Sequence, residues 1–369
     1  MISSKNVLDN CLDELKDVRF LSRQVFEECN KRTRLKKGDI LLTTVGTLGR
    51  SCIYDGNRNI VLQRSVSVLT PLISSDYVKC YLDSGYFQHY IDKNARGTAQ
   101  KGFYLNLLEA TYLPIPPLKE QLLIVARTSS LLSELNRINN ETSVLHERII
   151  KSKIRILDLA IHGKLVTQDT TDKPALELLR HINPTFQPSH NLHYVGEIPK
   201  GWCFCTIGDI FHHNTGKALN GLDCQGVMLR YITTSNLYWD RFDLSEERMM
   251  PFTEKEQEKC RAQKGDLLVC EGGDIGRAAI WPFEESIMIQ NHIHRLRPRA
   301  PISVRFYYYI FYLYKQKGLI GGKGIGIQGL SSRELDKMVI PVPPVNEQHR
   351  IVTAIEEKFA MLDTIADCC

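Results

Sequence analysis

The longest regular pattern in the chain is an apolar repeat between Leu118 and Ile161. Apolar residues recur there in alternating steps of four and three positions, the spacing of a helix that pairs along a narrow seam. No Pro or Gly interrupts the run, and at about 1.5 Å per residue the helix would be roughly 65 Å long, several times an ordinary core helix. The pattern therefore predicts a spacer helix, and its phase returns near the end of the chain. The predicted seam positions are Ile124, Leu131, Leu135, Ile138, Leu145, Ile149, Ile156, Leu159, Ile351, Ile355, Leu362 and Ile365.

The segments on either side of this helix are copies of one another. A shift of 227 positions aligns residues 37–125 with 264–352 without a gap, and 23 of the 89 pairs are identical. The matches include the Lys-Gly-Asp triplets at 37–39 and 264–266, the Gly-Arg pairs at 49–50 and 276–277, and the Glu-Gln pairs at 120–121 and 347–348. Such a match indicates an internal duplication of a large unit.

Each copy has the pattern of a mixed domain with one sheet. We expect a short helix (22–34, and 253–263 opened by a Thr253-x-x-Glu256 capping box), a buried strand (40–42, 267–269), and a glycine turn. A further strand ends near residue 53 or 280, an alternating strand covers 61–69 or 287–296, and a tyrosine-rich helix lies around 77–92 or 304–317. The second copy has an earlier strand at 230–237. Gly163 should cap the long helix, and Pro174 should open a short one.

The predicted fold class is α+β, with two tandem α/β domains of one fold. A long coiled-coil helix separates them, and a shorter antiparallel helix follows the second. The boundaries are 1–117 for the first domain, 118–165 for the spacer helix, 166–198 for a linker, 199–344 for the second domain and 345–369 for the last helix.

Composition adds few constraints. With 369 residues and 43% hydrophobic content, the chain can bury two cores, and a net charge of +5 is compatible with a polyanionic partner. The eleven cysteines form no Cys-x-x-Cys pair, and the sequence has no signal peptide or apolar run of transmembrane length. We therefore expect reduced thiols, a cytoplasmic location and no membrane association.

Catalytic and cofactor motifs are weak or absent. The run from Gly324 to Gly329 satisfies G-x-G-x-x-G, but the first copy lacks the middle glycine and no strand precedes either run as that motif requires. The Asn-Pro-Thr-Phe sequence at 183–186 lies in the linker. His292 and His294 would point to one face of a strand, but a third metal ligand is not evident. We expect no metal, no cofactor bound by this chain and no enzyme activity of its own.

The residues that differ between the copies have the chemistry of nucleic-acid recognition. The duplicated framework repeats while its turns carry unlike polar side chains, as expected for two reading heads with different targets. Arg, Lys, Asn, Gln, Thr and His hydrogen-bond to base edges and phosphates, although ordinary solvated loops have a similar composition. The predicted DNA-binding residues are Thr44, Thr47, Arg64, Arg96, Thr98, Gln100, Lys101, Lys217, Asn220, Thr234, Ser235, Asn236, Glu271, Asp274, Asn291, His292, His294, Lys323 and Gln328.

The framework resembles a known family. The K-G-D-[IL]-L…G…G-R pattern, the P-[IV]-P-P-x-x-E-Q-x-x-I-V ending and the helix end at 154–165 are similar to the specificity (S) subunit of type I restriction-modification systems. The resemblance covers nearly the whole chain. It implies two target-recognition domains that read the halves of a split sequence in double-stranded DNA, with the helices setting their spacing. It also implies docking to methyltransferase (M) and restriction (R) subunits, which would carry the S-adenosylmethionine, ATP and Mg chemistry.

Two departures from the family pattern concern the ends of the copies. The first copy starts at the end of the strand that the second has at 230–237, so we expect an incomplete first domain with no counterpart of Trp202. The last helix is about half as long as the spacer helix, which leaves the 118–140 half without an intrachain partner. The alternative function is therefore an S-subunit cassette that acts only as a coiled-coil assembly scaffold and does not read DNA.

Overall fold

The chain folds into two compact units, Met1–Glu141 and Thr142–Cys369. The computed structural model describes residues 1–13, 18–97, 101–189, 198–218, 225–246, 248–320 and 330–368. The unit boundary falls inside the spacer helix, α5 (Leu118–Ile161), whose bounds agree with those predicted from the sequence. Each unit therefore contains part of α5.

The first unit is built on a three-stranded antiparallel sheet. Its elements are β1 (Val7–Leu8), β2 (Cys11–Leu12), α1 (Arg23–Thr33), β3 (Ile40–Thr43), β4 (Ser51–Ile53), β5 (Val66–Leu69), α2 (Ser75–Asp83), α3 (Gly85–Asn94) and α4 (Leu105–Glu109). The sheet order is β4-β3-β5. Side chains alternate along β3, so Leu41 packs with Cys52 and Val66 on one face while Leu42 packs with Phe87 on the other.

The second unit contains the fuller copy of the fold. Its elements are α6 (Ala175–Ile182), β6 (Cys203–Thr206), α7 (Ile207–Ile210), β7 (Phe211–Thr215), β8 (Val227–Ile232), β9 (Leu237–Tyr238), β10 (Arg241–Phe242), β11 (Met249–Phe252), α8 (Glu254–Cys260), β12 (Arg261–Ala262), β13 (Leu267–Cys270), β14 (Ala278–Ile280), β15 (Ile287–Ile289), β16 (Ile293–Pro298), α9 (Val304–Gln316), α10 (Ser332–Asp336), β17 (Val339–Val342) and α11 (Val345–Asp367). The sheets have the orders β14-β13-β16-β7, β11-β8-β15-β12 and β17-β6.

The duplication extends to the first residues of the chain. In the first unit the Asn6 side chain accepts the backbone N–H of Ser3 at 2.9 Å, and in the second Asn236 accepts that of Thr233 at 3.0 Å. A small hairpin follows each turn, with a left-handed residue, Asn10 or Asp240, between its strands. The first described residues of the chain are thus the counterpart of residues from 231 onward.

Several local predictions are confirmed. Thr253 and Glu256 form the predicted capping box at the start of α8, and Pro174 is the N-cap of α6. Gly163 has a φ of +61° and ends α5, where the backbone N–H of Lys164 reaches back to the Leu159 carbonyl at 2.8 Å. That bond spans six residues, as in a Schellman cap.

Three predicted elements are interrupted. The strand expected at 287–296 is two strands, β15 and β16, because residues 290–292 turn between two sheets. The strand expected at 230–237 ends at Ile232, where the turn centred on Asn236 begins. The tyrosine-rich helix of the first copy is broken at Ser84, whose hydroxyl donates to the Tyr81 carbonyl at 2.6 Å and accepts the N–H of Phe87. Ser84 thereby caps both α2 and α3.

Candidate nucleic-acid interface

The same glycine turn follows the central strand of each unit. After β3 the backbone N–H of Gly49 bonds to the Thr43 carbonyl at 3.0 Å, and after β13 that of Gly276 bonds to the Cys270 carbonyl at 2.9 Å. Gly49 and Gly276 have φ values of +81° and +82°, which only glycine adopts without strain. The framework is thus equivalent in both units, while the residues within the turns differ.

Three loops of the second unit meet at this turn. The backbone N–H of Glu271 bonds to the His292 carbonyl at 2.9 Å, and that of Asn291 bonds to the Lys217 carbonyl at 2.9 Å. The carboxylate of Glu271 lies 3.9 Å from Nδ1 of the exposed His292 ring. The side-chain oxygen of Asn291 is buried and has no hydrogen-bond partner within the described part of the chain.

Arg277 brings a further loop to the same place. Its guanidinium donates to the Thr234 carbonyl at 2.7 Å and lies over the Tyr238 ring, 5.3 Å from the centroid. This contact holds the Asn236 turn, with the exposed Ser235, beside the glycine turn. We call the resulting group the second-unit rim: Thr234, Ser235, Glu271, Asp274, Asn291 and His292.

The first unit gathers a different set of side chains at the equivalent turn. The backbone N–H of Gly46 bonds to the Lys101 carbonyl at 3.2 Å, and Arg96 and Gly102 exchange two backbone hydrogen bonds of 2.8 and 3.0 Å. The Thr47 hydroxyl reaches the Ser4 carbonyl at 3.4 Å, and Ser4 in turn bonds to Ser65, next to Arg64. We call the exposed group here the first-unit rim: Lys5, Thr47, Arg64, Arg96 and Lys101.

Lys5 was missed by the sequence-based prediction. The shared Asn6 and Asn236 turns place it at the position of Ser235, and the turn contacts Thr47. The sequence already contained the signal needed to include Lys5, because aligning residues 1–7 with the end of the 230–237 segment places Lys5 opposite Ser235. The first-unit rim thus has four cations and no carboxylate, whereas the second-unit rim has two carboxylates and a histidine.

His294 has a structural position, so its prediction as a DNA contact is corrected. It is fully buried, Nε2 lies 2.6 Å from the Leu330 carbonyl, and Nδ1 lies 2.9 Å from Nε2 of His213. Burial lowers the pKa of His294 to about 4, which keeps the ring neutral. The other nitrogen of His213 lies 2.8 Å from the Asp336 carboxylate. The chain of contacts ties β7 and β16 to α10.

Three further predicted contacts are also buried and engaged within the chain. Lys217 donates to Glu256 and to the Pro251 carbonyl, each at 2.9 Å. Asn236 holds its own turn, as described above, and the buried Thr44 hydroxyl lies 3.2 Å from that of Ser67. These three side chains are buried beneath the exposed rim residues, where their hydrogen bonds hold the loops in place, and they do not face outward. Thr98, Gln100, Asn220, Lys323 and Gln328 lie outside the described residues.

The predicted helix seam is occupied in one region and exposed in another. Within the second unit, Ile351 and Ile355 are fully buried, and Ile156 packs against the same cluster. Lys153 pairs with Asp363, and Gln168 donates to Glu347 at 2.6 Å, so α11 runs antiparallel to the end of α5. In the first unit the α5 residues Leu131, Leu135 and Ile138 are exposed.

The described residues contain no group of three or more His, Cys, Asp or Glu side chains that could hold a metal ion. They also contain no helix that is long and apolar enough to cross a membrane.

Comparison with known proteins gives a consistent result. Residues 4–145 and 199–365 match the family described as type I restriction modification DNA specificity domain. The chain is 24% identical to the type I restriction enzyme EcoBI specificity subunit of Escherichia coli, over 74% of this chain and 57% of that protein. It thus spans little more than half the length of that relative.

Two solved structures share the fold. One, from work on complex assembly and conformational transition of the type I R-M system, has a TM-score of 0.65 at 16% identity and covers 90% of this chain and 77% of its own. The other is the HsdS subunit from Thermoanaerobacter tengcongensis, with a TM-score of 0.53 at 16% identity. The match covers 90% of this chain and 76% of that subunit.

Proposed function

The chain belongs to the family of type I restriction modification DNA specificity domains, and on that premise we propose that it reads a split DNA sequence, one half through each rim. This proposal is supported chiefly by one observation. Both units have the same strand and glycine turn, at Gly49 and Gly276, but the polar side chains around that turn differ between them. A repeated scaffold supplies the same approach to a DNA groove, while the different side chains select different bases.

The first-unit rim has the chemistry of phosphate and guanine recognition. Lys5, Arg64, Arg96 and Lys101 are exposed cations on neighbouring loops. Arginine and lysine contact phosphates without regard to sequence, and they also pair with the two acceptors on the major-groove edge of guanine. We therefore propose that binding by this unit depends strongly on salt.

The carboxylates of the second-unit rim are hydrogen-bond acceptors, so this rim favours bases that present N–H donors. Glu271 can accept a hydrogen bond from the exocyclic amine of cytosine, and so can Asp274, one oxygen of which also pairs with Lys315 Nζ at 2.9 Å.

The partners follow from the family. M subunits would supply S-adenosylmethionine-dependent methyl transfer, R subunits would supply ATP- and Mg-dependent cleavage, and this chain would supply recognition without catalysis. The continuous α5 helix would set the number of unread base pairs between the half-sites. Inserting one heptad into α5 adds about 10 Å, so we expect the same two half-sites with a spacer about three base pairs longer.

The decisive experiment is to map adenine methylation across the genome of cells that make this chain with its cognate M subunit. A split motif with two defined halves supports the proposal. A chain that only holds an assembly together would still bind the M subunit but would produce no such motif, which would refute DNA reading.

The salt dependence of DNA binding tests whether the first-unit rim contacts phosphates. We expect Arg64→Ala to reduce the slope of log affinity against log salt by about one unit. Arg137→Ala is the control, because Arg137 is an exposed arginine of α5 that pairs with Glu134 and Glu141 and belongs to neither rim. Equal slopes for both variants would place the phosphate contacts elsewhere.

A further inference from the structure

In each unit, the helix that follows the sheet sends one long polar side chain to the glycine turn. In the first unit Gln88, on α3, donates through its side-chain amide to the Gly49 carbonyl at 3.0 Å. In the second unit Lys315, in the last turn of α9, donates to the Ile275 carbonyl at 2.9 Å. The 227-position shift places Gln88 on Lys315, and the two carbonyls belong to neighbouring positions of the equivalent turns. The same support therefore occurs in both units with different chemistry.

Lys315 also holds a carboxylate of the second-unit rim. Its Nζ lies 2.9 Å from one oxygen of Asp274, and the two side chains are 23% and 39% exposed. Hydrogen bonds between charged groups are shorter and stronger than those between neutral groups, and they restrict the orientation of both partners. The direction in which Asp274 faces is therefore set by a residue of α9, which lies outside the turn itself.

Gln88 approaches its turn as closely as a glycine allows. A Cβ added at Gly49 would lie 2.4 Å from Oε1 of Gln88. The amide nitrogen that donates to Gly49 also donates to the Leu82 carbonyl at 2.7 Å, in the last turn of α2. Gln88 thus joins α2 and α3 to the turn that carries Thr47.

The helix that carries Lys315 is itself fixed to both spacer helices. Near its start, Nε of Arg305 donates to Glu356 of α11 at 3.1 Å. Directly after its last turn, Lys317 pairs with Asp158 of α5. Because α9 is held near both ends, Lys315 positions the glycine turn relative to α5 and α11.

We propose that Lys315 and Gln88 are positioning residues for sequence reading, and that each determines how strictly its own unit selects one half of the target. This proposal rests on the proposed reading of DNA through the two rims. A hydrogen bond to a base edge requires a narrow range of distance and angle, whereas phosphate contacts carry no sequence information. A turn that is free to shift should therefore lose discrimination between bases while it keeps its general affinity for DNA.

Substitution by methionine removes the donor and preserves the packing. Methionine is unbranched and flexible, so Lys315→Met and Gln88→Met keep most of the side-chain volume. Lys315→Arg supplies another long cationic donor and should preserve discrimination. Lys317→Met is the matched control, because it removes a cation from the same end of α9 whose partner is Asp158 and not the turn.

The test uses the full chain with its cognate M subunit. Adenine methylation mapping of the wild-type complex gives the split motif. Competition binding then compares a duplex that carries this motif with duplexes that have one base pair substituted in either half. We expect Lys315→Met to reduce the preference for the correct base about tenfold in one half only, and Gln88→Met to do so in the opposite half. Partial unfolding would lower binding of all duplexes alike and leave these ratios unchanged.

The salt dependence of binding separates positioning from direct contact. Loss of a phosphate contact reduces the slope of log affinity against log salt by about one unit. We expect an unchanged slope for Lys315→Met, because the ammonium group is engaged by Asp274 and the Ile275 carbonyl.

Four results obtained with a wild-type motif in hand would overturn this proposal alone. They are unchanged discrimination in either methionine variant at positions 315 and 88, equal losses in both halves, a Lys317→Met effect as large as that of Lys315→Met, and a slope reduced by one unit in Lys315→Met. The absence of a split motif in the wild-type complex is a different outcome, because it would refute DNA reading itself and this proposal with it.

Discussion

Asp266 and Asp39 occupy the same position in the two copies but differ in one partner. Each is about 2% exposed, and each accepts the backbone N–H three residues earlier at 2.7 Å, from Gln263 and Lys36 respectively. Among the described residues only Asp266 also has an arginine partner, with Nε and Nη2 of Arg297 at 2.8 and 2.7 Å from its two oxygens. The pair of aspartates therefore isolates the contribution of the arginine.

We expect Asp266→Asn to lower the free energy of unfolding of the second unit by about 2–3 kcal/mol. Removing one partner of a fully buried ion pair costs about 3–5 kcal/mol, and the Arg297 side chain is one-third exposed, so water recovers part of that loss. The new amide nitrogen would also face a guanidinium donor. Asp39→Asn keeps an oxygen for the Lys36 N–H and should cost only about 0.5–1 kcal/mol.

The tryptophans allow the units to be followed separately. All three, Trp202, Trp239 and Trp281, belong to the second unit. Urea unfolding followed by tryptophan fluorescence should shift to lower urea by about 1 M for Asp266→Asn, taking a slope near 2 kcal/mol per molar. Asp39→Asn should leave that fluorescence transition in place and change only the far-UV circular dichroism. Equal shifts for the two variants, or none for Asp266→Asn, would refute the assigned role of Arg297.

Three further predictions concern single positions. Burial raises the pKa of Glu347 above its ordinary 4.5, so the native state holds its proton longer and wild-type stability should fall as pH rises from about 4.5 through the raised value. Glu347→Gln should flatten that part of the curve in pH-dependent urea titrations, and an unchanged curve would contradict it. Gly216→Ala should destabilise the second unit by about 3 kcal/mol or more, because its Cβ would lie 2.1 Å from the Ile289 carbonyl oxygen. Gly85→Ala should be neutral or slightly stabilising, because the added Cβ would meet no described atom within 4 Å beyond its chain neighbours; thermal melts of both glycine variants check this contrast.

The predicted sites show where sequence reasoning is limited. His292 and His294 are two residues apart, and the alternation rule placed them on one face of a strand. The break between β15 and β16 leaves His292 exposed on the rim and places His294 fully inside. Lys217 has the charge expected of a DNA contact, but Glu256, brought near by the fold, holds it in the interior. Burial of a polar residue depends on partners distant in sequence, which a local pattern does not contain.

The sequence by itself determined the features that depend on short-range chemistry or on self-comparison. The bounds of α5, the caps at Gly163 and Thr253, and the duplication with its recurring glycine turns all follow from residues close together or from matching one copy to the other. Helix periodicity and capping are local, so they survive without knowledge of the fold.

Only the tertiary structure decided which polar groups face outward and which segments remain uncovered. Glu120 and Glu347 have the same local sequence, but one is exposed and the other is buried beneath Trp202. The exposed Ile115 and the buried Val342 differ for the same reason. What covers a residue is set by the packing of segments far apart along the chain, and the free energy of that burial depends on surfaces that exist only after folding.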